Sequence, residues 1–341
     1  MPKTVLMVQP QRGEKFAGIE RAIQNISAIL TTLGIRVQHD VRTTSSSPSE
    51  RRTTYVIAHE PLASDDIDMF YCHTFLCAGS KLFRDTNTVC THVINSRCPL
   101  DWYFHRCGCC KSPLEARRLW VRAANIKSWL AQGTFDIGVA SHWMAQYLKN
   151  EGIDPRRLIL LPLAWSEGCG ADANWEARRQ VTYIGRLSYQ KGVQLLPILS
   201  TLIPDIGIDV FGEGYMSEPL RHQITSAGAT ASLRLRGSLP FSFVTNELLR
   251  TAVLLAPSLC PEPYGLSVSE ARHAGAWVLA TERGAMPEWA AIDPGVQLVD
   301  YSRPQLAAQV IRSCIHTPPP PPPDYGSRSL AAWQAWWDRC A

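Results

Sequence analysis

The chain has 341 residues, 45% hydrophobic and 19% charged, which is enough apolar content for a large core and excludes a disordered tail or a peptide. A net charge of +4 is too mild for a nucleic-acid binder, and no apolar run approaches the roughly 20 residues of a membrane span. Length alone favours two domains of about 150 residues each.

Residues 1–163 carry a balance of +6 and residues 164–341 a balance of −2, so the first half offers the basic face. Residues 1–8 enter a strand-like run directly, without the apolar segment and cleavage site of a signal peptide. A soluble cytoplasmic protein is expected, with peripheral contact at the inner membrane face open to it through its basic half. Eleven cysteines, an odd number without an export signal, argue against a disulfide framework.

A strand at 5–8 leads through a Gly-containing loop, 11–18, into a helix on which Ile19, Ile23, Ile26, Leu30 and Leu33 recur at helical spacing until Gly34. A second strand follows at 36–41, then a Ser/Thr/Pro loop at 43–49. Short strands are expected at 55–58, 67–71, 88–94 and 135–140, and helices near 113–131 and 143–151. Alternation of this kind predicts a parallel sheet wrapped by helices.

The second half repeats that grammar: a strand at 181–185, a helix at 193–202, a strand at 208–211 closed by Gly212-Glu213-Gly214, then a helix ending at 252. A strand at 253–257, a helix at 266–273 and a strand at 277–280 complete it. The halves read as two doubly wound α/β domains, with the boundary between 162 and 175 and the site in the cleft between them, at the carboxyl ends of the strands. Residues 1–163 are assigned to the first domain, 164–317 to the second and 318–326 to a stiff connector containing six prolines. Residues 327–341 form a last helix that returns to the first domain, because Trp333, Trp336 and Trp337 on one face need cover.

The strongest chemical signal is Pro261-Glu262-Pro263-Tyr264-Gly265-Leu266-Ser267-Val268-Ser269-Glu270, between a buried strand and a helix. Gly265 allows close backbone approach, the amides of 266–268 open the helix as an anion site, and Glu270 falls in its first turn. A helix merely capped by Ser267 is the plain alternative. A second strand-to-helix junction, Gly185-Arg186-Leu187-Ser188-Tyr189-Gln190-Lys191-Gly192, offers two cations that can converge on a diphosphate. A solvated basic loop is the alternative there.

With Gly185-Arg186, Lys191-Gly192, Gly212-Glu213-Gly214, Arg236-Gly237-Ser238-Leu239 and Glu262/Glu270 around Gly265-Leu266, the chain resembles the retaining GT-B glycosyltransferases of family 4, the group 1 type. The resemblance implies two Rossmann-like domains facing across a cleft. Arg186 and Lys191 would hold the donor diphosphate with the amides near Gly185, Gly212, Gly265, Leu266 and Ser267, and Glu270 the ribose. Glu262 would lie against the hexose, and the backbone at Leu239 would read the base. Ala17-Gly18-Ile19-Glu20 resembles the family's glycine loop, so Gly18 would approach the phosphates from the first domain. His92 stands where the family places a histidine facing the sugar, whereas His73 is the weaker candidate. Leu161-Pro162-Leu163 departs from the family's Pro-Asn-Gly, which leaves the hinge unassigned.

The implied reaction moves a hexosyl or N-acetylhexosaminyl group, with retention, from a UDP- or GDP-linked sugar to a glycan, lipid-linked or small-molecule acceptor. No cofactor and no metal are expected. Two alternatives remain: a catalytically silent nucleotide-sugar-binding subunit, and an epimerase or phosphorylase of the same architecture.

Asp66-Ile67-Asp68 spells a metal-binding motif of another glycosyltransferase fold, but a solvated turn before the apolar run 69–71 is the better reading. Seven cysteines fall between 72 and 110; Cys98, Cys107, Cys109 and Cys110 could hold zinc, but their spacing favours reduced thiols in an acceptor-side loop. From Lys111 to Trp129, cations alternate with apolar residues. That pattern suits a helix on the sheet with a solvated outer face, or contact with an anionic membrane.

Overall fold

The structure, a computed structural model, describes residues 4–8, 17–40, 53–56, 68–73, 75–77, 89–90, 93–105, 112–164, 175, 178 and 180–340. The chain divides into two units, Met1–Trp165 with Asp324–Ala341, and Ser166–Pro323.

In the first unit β1 (Thr4–Val8), β2 (Arg36–Asp40), β3 (Thr53–Val56), β4 (Met69–Tyr71), β5 (Asp136–Val139) and β6 (Leu158–Leu160) form a parallel sheet in the order β2-β1-β3-β4-β5-β6. Helix α1 (Ala17–Thr32) buries Ile23, Ile26 and Leu30 of the predicted stripe, together with Ala22 and Ile29, while Leu33 beyond its end is half-buried. Of the strand expected at 88–94, the described residues show a single bridge at Val89, and helix α2 (Cys98–His105) follows the span. Residues 91–92 lie outside the described ones, and from Val93 the chain turns. Asn95 is the reason: its side chain accepts the Arg97 amide at 2.9 Å and its carbonyl the Cys98 amide at 3.1 Å.

Helix α3 (Pro113–Gln132) is started by Ser112, whose hydroxyl accepts the Glu115 amide at 3.2 Å, and by Pro113. It buries Ala116, Ala123 and Leu130 while Arg117, Arg118 and Arg122 stay exposed. Helix α4 (His142–Asn150), capped by Ser141, adds Met144 and Leu148 to the core around Phe70, Phe135, Ile137 and Val139.

The second unit holds, in chain order, β7 (Gln180–Ile184), α5 (Leu196–Leu202), β8 (Ile208–Phe211), α6 (Ser217–Ser226), β9 (Leu233–Gly237), α7 (Phe241–Arg250) and β10 (Thr251–Ala256), followed by α8 (Leu266–His273), β11 (Trp277–Ala280), α9 (Met286–Ile292), β12 (Val296–Leu298) and α10 (Pro304–Ile315). Its parallel sheet runs β12-β11-β10-β7-β8-β9. The continuous apolar runs of β10 and β11 are buried because helices cover both faces of such a sheet. Strand order reverses between β7 and β10, and ligands of doubly wound folds bind outside the carboxyl ends at that point.

The helix expected at 193–202 begins later. Two 3-10 turns, Tyr189–Lys191 and Val193–Leu195, precede α5. Gly192 separates them at φ 74°, and a Cβ there would stand 1.9 Å from the Pro257 carbonyl oxygen. The chain therefore comes close to β10's exit before the helix can start.

The proline run is tied to the second unit. Arg272, fully buried, pairs with Asp293 at 2.7 Å and donates to the Pro320 carbonyl at 2.6 Å, while the Trp277 indole donates to Thr317 at 2.6 Å. Helix α11 (Tyr325–Cys340) then belongs to the first unit. Trp333, Trp336 and Trp337 are buried as their spacing requires. Trp333 stacks on Tyr71 with ring centroids 5.9 Å apart and donates to the Pro162 carbonyl at 3.0 Å.

Edge strand β9 is protected by charge. Arg234 grips Asp209 of β8 with two bonds, 2.8 and 2.9 Å, Arg236 adds one at 2.6 Å, and Gln180 adds another at 2.9 Å. Burial alone would raise the Asp209 pKa, but these hydrogen bonds outweigh it and hold it at about 2. A depressed carboxyl stabilises the fold above its unfolded pKa, about 4, and that stability drains away as pH falls toward 2. Melting temperature should therefore fall between pH 5 and 3, and less steeply in Asp209→Asn; parallel slopes would contradict the assignment.

Candidate active site

The loops that leave β7, β8, β10 and β11 at their carboxyl ends interlock through glycines. Gly185, directly after β7, donates its amide to Phe211 of β8 at 3.0 Å. Gly212 has φ 141°, and a Cβ on it would lie 1.8 Å from the Gly185 carbonyl oxygen, so these two loops approach more closely than any side chain permits. Gly212 in turn donates to Gly237 at 2.8 Å, which brings the end of β9, two residues before half-buried Leu239, to the same edge.

Across the switch point the exit of β10 joins the turn after β7. The amides of Leu259 and Cys260 donate to the Gln190 carbonyl at 2.8 and 3.1 Å. Two residues on, Glu262 is fixed by the loop after β11, whose Ala285 amide donates to the Glu262 carbonyl at 2.8 Å. The Trp289 indole of α9 holds the next stretch by donating to Tyr264 at 2.6 Å.

These constraints bring Lys191 and Glu262 into contact, Nζ to Oε1 at 2.5 Å, 71 residues apart in sequence. Burial works to lower the Lys191 pKa. The Glu262 carboxylate, through its charge and its hydrogen bond, more than offsets that, and the ammonium titrates above its ordinary value. Arg186, exposed, is near enough for its like charge to pull the other way. The Arg186 carbonyl is anchored by the buried Tyr183 hydroxyl at 2.9 Å, whose own pKa burial raises. Two cations and one carboxylate at the switch point leave a positive excess where a doubly wound sheet takes its ligand.

Helix α8 differs from expectation in three respects. Its N-cap is Gly265, with φ 92°, and no side chain caps it; Ser267 is already inside the helix. The Val268 and Ser269 amides are used by the Gly265 carbonyl at 3.0 and 3.1 Å, so the open amides are those of Leu266 and Ser267. Glu270 is the fifth residue of α8, in its second turn, and half-buried. Glycine at 265 is a backbone requirement, since only a left-handed residue admits this turn, and that displaces Ser267 from the cap.

In the first unit Gly18 is the second residue of α1, inside the helix and not in the loop before it. His73 follows β4 and is half-buried. His92 lies outside the described residues, as do Asp66, Cys107, Cys109 and Cys110; Asp68 is exposed. Cys98 opens α2. Among the described residues no group of three or more His, Cys, Asp or Glu side chains could hold a metal, and Cys72, Cys77, Cys90, Cys98, Cys260 and Cys314 are reduced thiols. Sequence reasoning missed Gln190, Tyr215 and the 284–285 backbone; only Gly284, repeating the strand-then-glycine pattern after β11, left a signal.

The profile of the family described as Glycosyl transferases group 1 matches residues 172–323, which is essentially the second unit. Among proteins of curated function, no sequence matches the chain. In fold it is similar to the sucrose-phosphate synthase of Thermosynechococcus elongatus, 15% identical with a TM-score of 0.60 over 99% of this chain and 96% of that one. It is similar also to Anabaena HepE solved with UDP and glucose, 12% identical with a TM-score of 0.59 over 99% and 94%. A glycosyltransferase from Rickettsia africae gives 13%, 0.57, 100% and 94%. The fold is GT-B, and residues 172–323 carry the match to the group 1 glycosyltransferases.

Proposed function

We propose that this protein is a retaining glycosyltransferase of the family 4 kind, moving a hexosyl or N-acetylhexosaminyl group from a nucleotide diphosphate sugar to a glycan, lipid-linked or small-molecule acceptor. The observation that carries the reading is the Lys191–Glu262 contact across the switch point, with Arg186 in electrostatic range. A leaving diphosphate gains negative charge as the glycosidic bond lengthens. A fixed ammonium, an exposed guanidinium and the open amides of Leu266 and Ser267 answer that charge without a proton. The incoming phosphate draws the Lys191 ammonium from Glu262, which frees a carboxylate for hydroxyls of the hexose. Glu270 takes the ribose, and the Leu239 backbone the base. The released phosphate oxygen accepts the acceptor's proton, so no side chain need attack the sugar.

HepE has been solved with UDP-glucose, which supports a uridine donor here; a guanosine donor is the other choice. With cations supplied by the chain itself, turnover needs no resident metal. A thermal-shift series with UDP, GDP and their sugars tests the donor: one series should raise the melting temperature with the logarithm of concentration, unchanged by EDTA. Flat curves for all of them, or shifts abolished by EDTA, would overturn the reading.

On α3, exposed Leu114 and Val121 stand among exposed Arg117, Arg118 and Arg122, a composition suited to an anionic bilayer that presents a lipid-linked acceptor. Among the described residues no helix is long and apolar enough to cross a membrane. Co-sedimentation with phosphatidylglycerol vesicles and not with phosphatidylcholine ones is expected; equal recovery from both would remove this contact.

A further inference from the structure

Tyr215 lies in the turn after β8 and reaches across to the turn after β7. Its hydroxyl accepts the Tyr189 amide at 2.9 Å and donates to the Gln190 side-chain oxygen at 2.8 Å. Gln190 is 5% exposed, and its carbonyl is the acceptor that fastens Leu259 and Cys260 from β10. One phenol thus meets the 3-10 turn that ends in Lys191, while the middle residue of that turn meets the strand exit that leads to Glu262. Tyr215 itself is 54% exposed. A tyrosine kept for packing would bury its ring, and one kept for its hydroxyl need not.

We propose that Tyr215, acting through Tyr189 and Gln190, is a positioning residue that sets where Lys191 stands for the donor phosphates. This rests on the reading of Lys191 given above. Gly185, Gly212 and Gly214 let the two loops approach, and backbone bonds of Leu187 with Glu213 and Met216, at 3.0 and 3.1 Å, join them, but these bonds stop short of the turn that ends in Lys191. The tyrosine hydroxyl supplies both a donor and an acceptor at that junction. A turn held at Tyr189 and Gln190 fixes the backbone from which Lys191 extends, so the ammonium has only to pass from Glu262 to the phosphate when it arrives.

The test compares the wild-type chain with Tyr215→Phe, Lys191→Ala and the double variant by calorimetry, with UDP and GDP as probes, alongside melting temperatures. Tyr215→Phe should weaken the nucleotide that binds by about tenfold, the scale of one lost hydrogen-bond tie, with the chain still folded. In the Lys191→Ala background the same change should have no further effect, because the residue it positions is gone. Unchanged affinity in Tyr215→Phe would overturn the inference. So would an equal loss with and without Lys191, which would mark Tyr215 as a direct contact or a structural residue. If Lys191→Ala alone left affinity intact, the donor reading itself would fall.

Discussion

Lys191→Ala should cut turnover by about 10- to 150-fold, measured as release of nucleoside diphosphate from the donor. One charge-assisted contact is worth about 1.5–3 kcal/mol, and each 1.36 kcal/mol off transition-state stabilisation is a factor of ten. This loss of turnover comes in addition to a loss of nucleotide affinity, because the charge on the phosphate grows as the bond breaks. Removing the ammonium also leaves Glu262, only 17% exposed, facing the donor phosphates without a counter-charge. Lys191→Arg should recover part of the rate, since the charge returns on a bulkier fork. A Lys191→Ala enzyme running at the wild-type rate would exclude this residue from the chemistry.

Arg272→Ala should be the most destabilising single change outside the site, by about 3–5 kcal/mol, because it strands a buried carboxylate. Both partners are fully buried: Arg272 Nε meets Asp293 Oδ2 at 2.7 Å, and the guanidinium also donates to the carbonyls of Ala276 and Pro320, each at 2.6 Å. Asp293 spends its other oxygen on the Gly295 amide at 2.7 Å. Urea unfolding of the full chain should show the transition that reports the second unit moved to lower denaturant. A double variant, Arg272→Leu with Asp293→Leu, should recover much of the loss, since an apolar pair leaves no charge unanswered. An Arg272→Ala midpoint equal to wild type would contradict the arrangement.

What the sequence makes legible follows the strength of each local pattern. Strands β10 and β11 stand out as unbroken apolar runs, and α11 through tryptophans at helical spacing, because burial on such a scale admits few alternatives. The glycine-marked junctions after β7 and β10 are legible for the same reason: a turn requiring positive φ restricts the residue type. Strands of three to five residues in the first unit carry too few alternations to fix their ends, and α2 owes its start to an Asn95 turn that no hydrophobic period announces.

In the site the residue types could be read, but their pairings could not. Lys191 and Glu262 are each marked by their own loop, yet their contact depends on sheet order, which brings β7 beside β10 across 71 residues. The same holds for Tyr215 with Gln190, 25 residues apart and joined only because β7 and β8 are neighbours. Ser267 looked like a helix cap because serine caps helices in general; the left-handed Gly265 two residues earlier had already taken that role and moved Glu270 into the second turn.

The most direct measurement is a crystal structure grown with UDP or GDP. The diphosphate should lie outside the carboxyl ends of β7 and β10, with a phosphate oxygen roughly 2.7–3.2 Å from Lys191 Nζ and the guanidinium of Arg186 turned toward it. A nucleotide bound elsewhere, or a Lys191 still closed on Glu262 with the phosphates out of reach, would contradict the account.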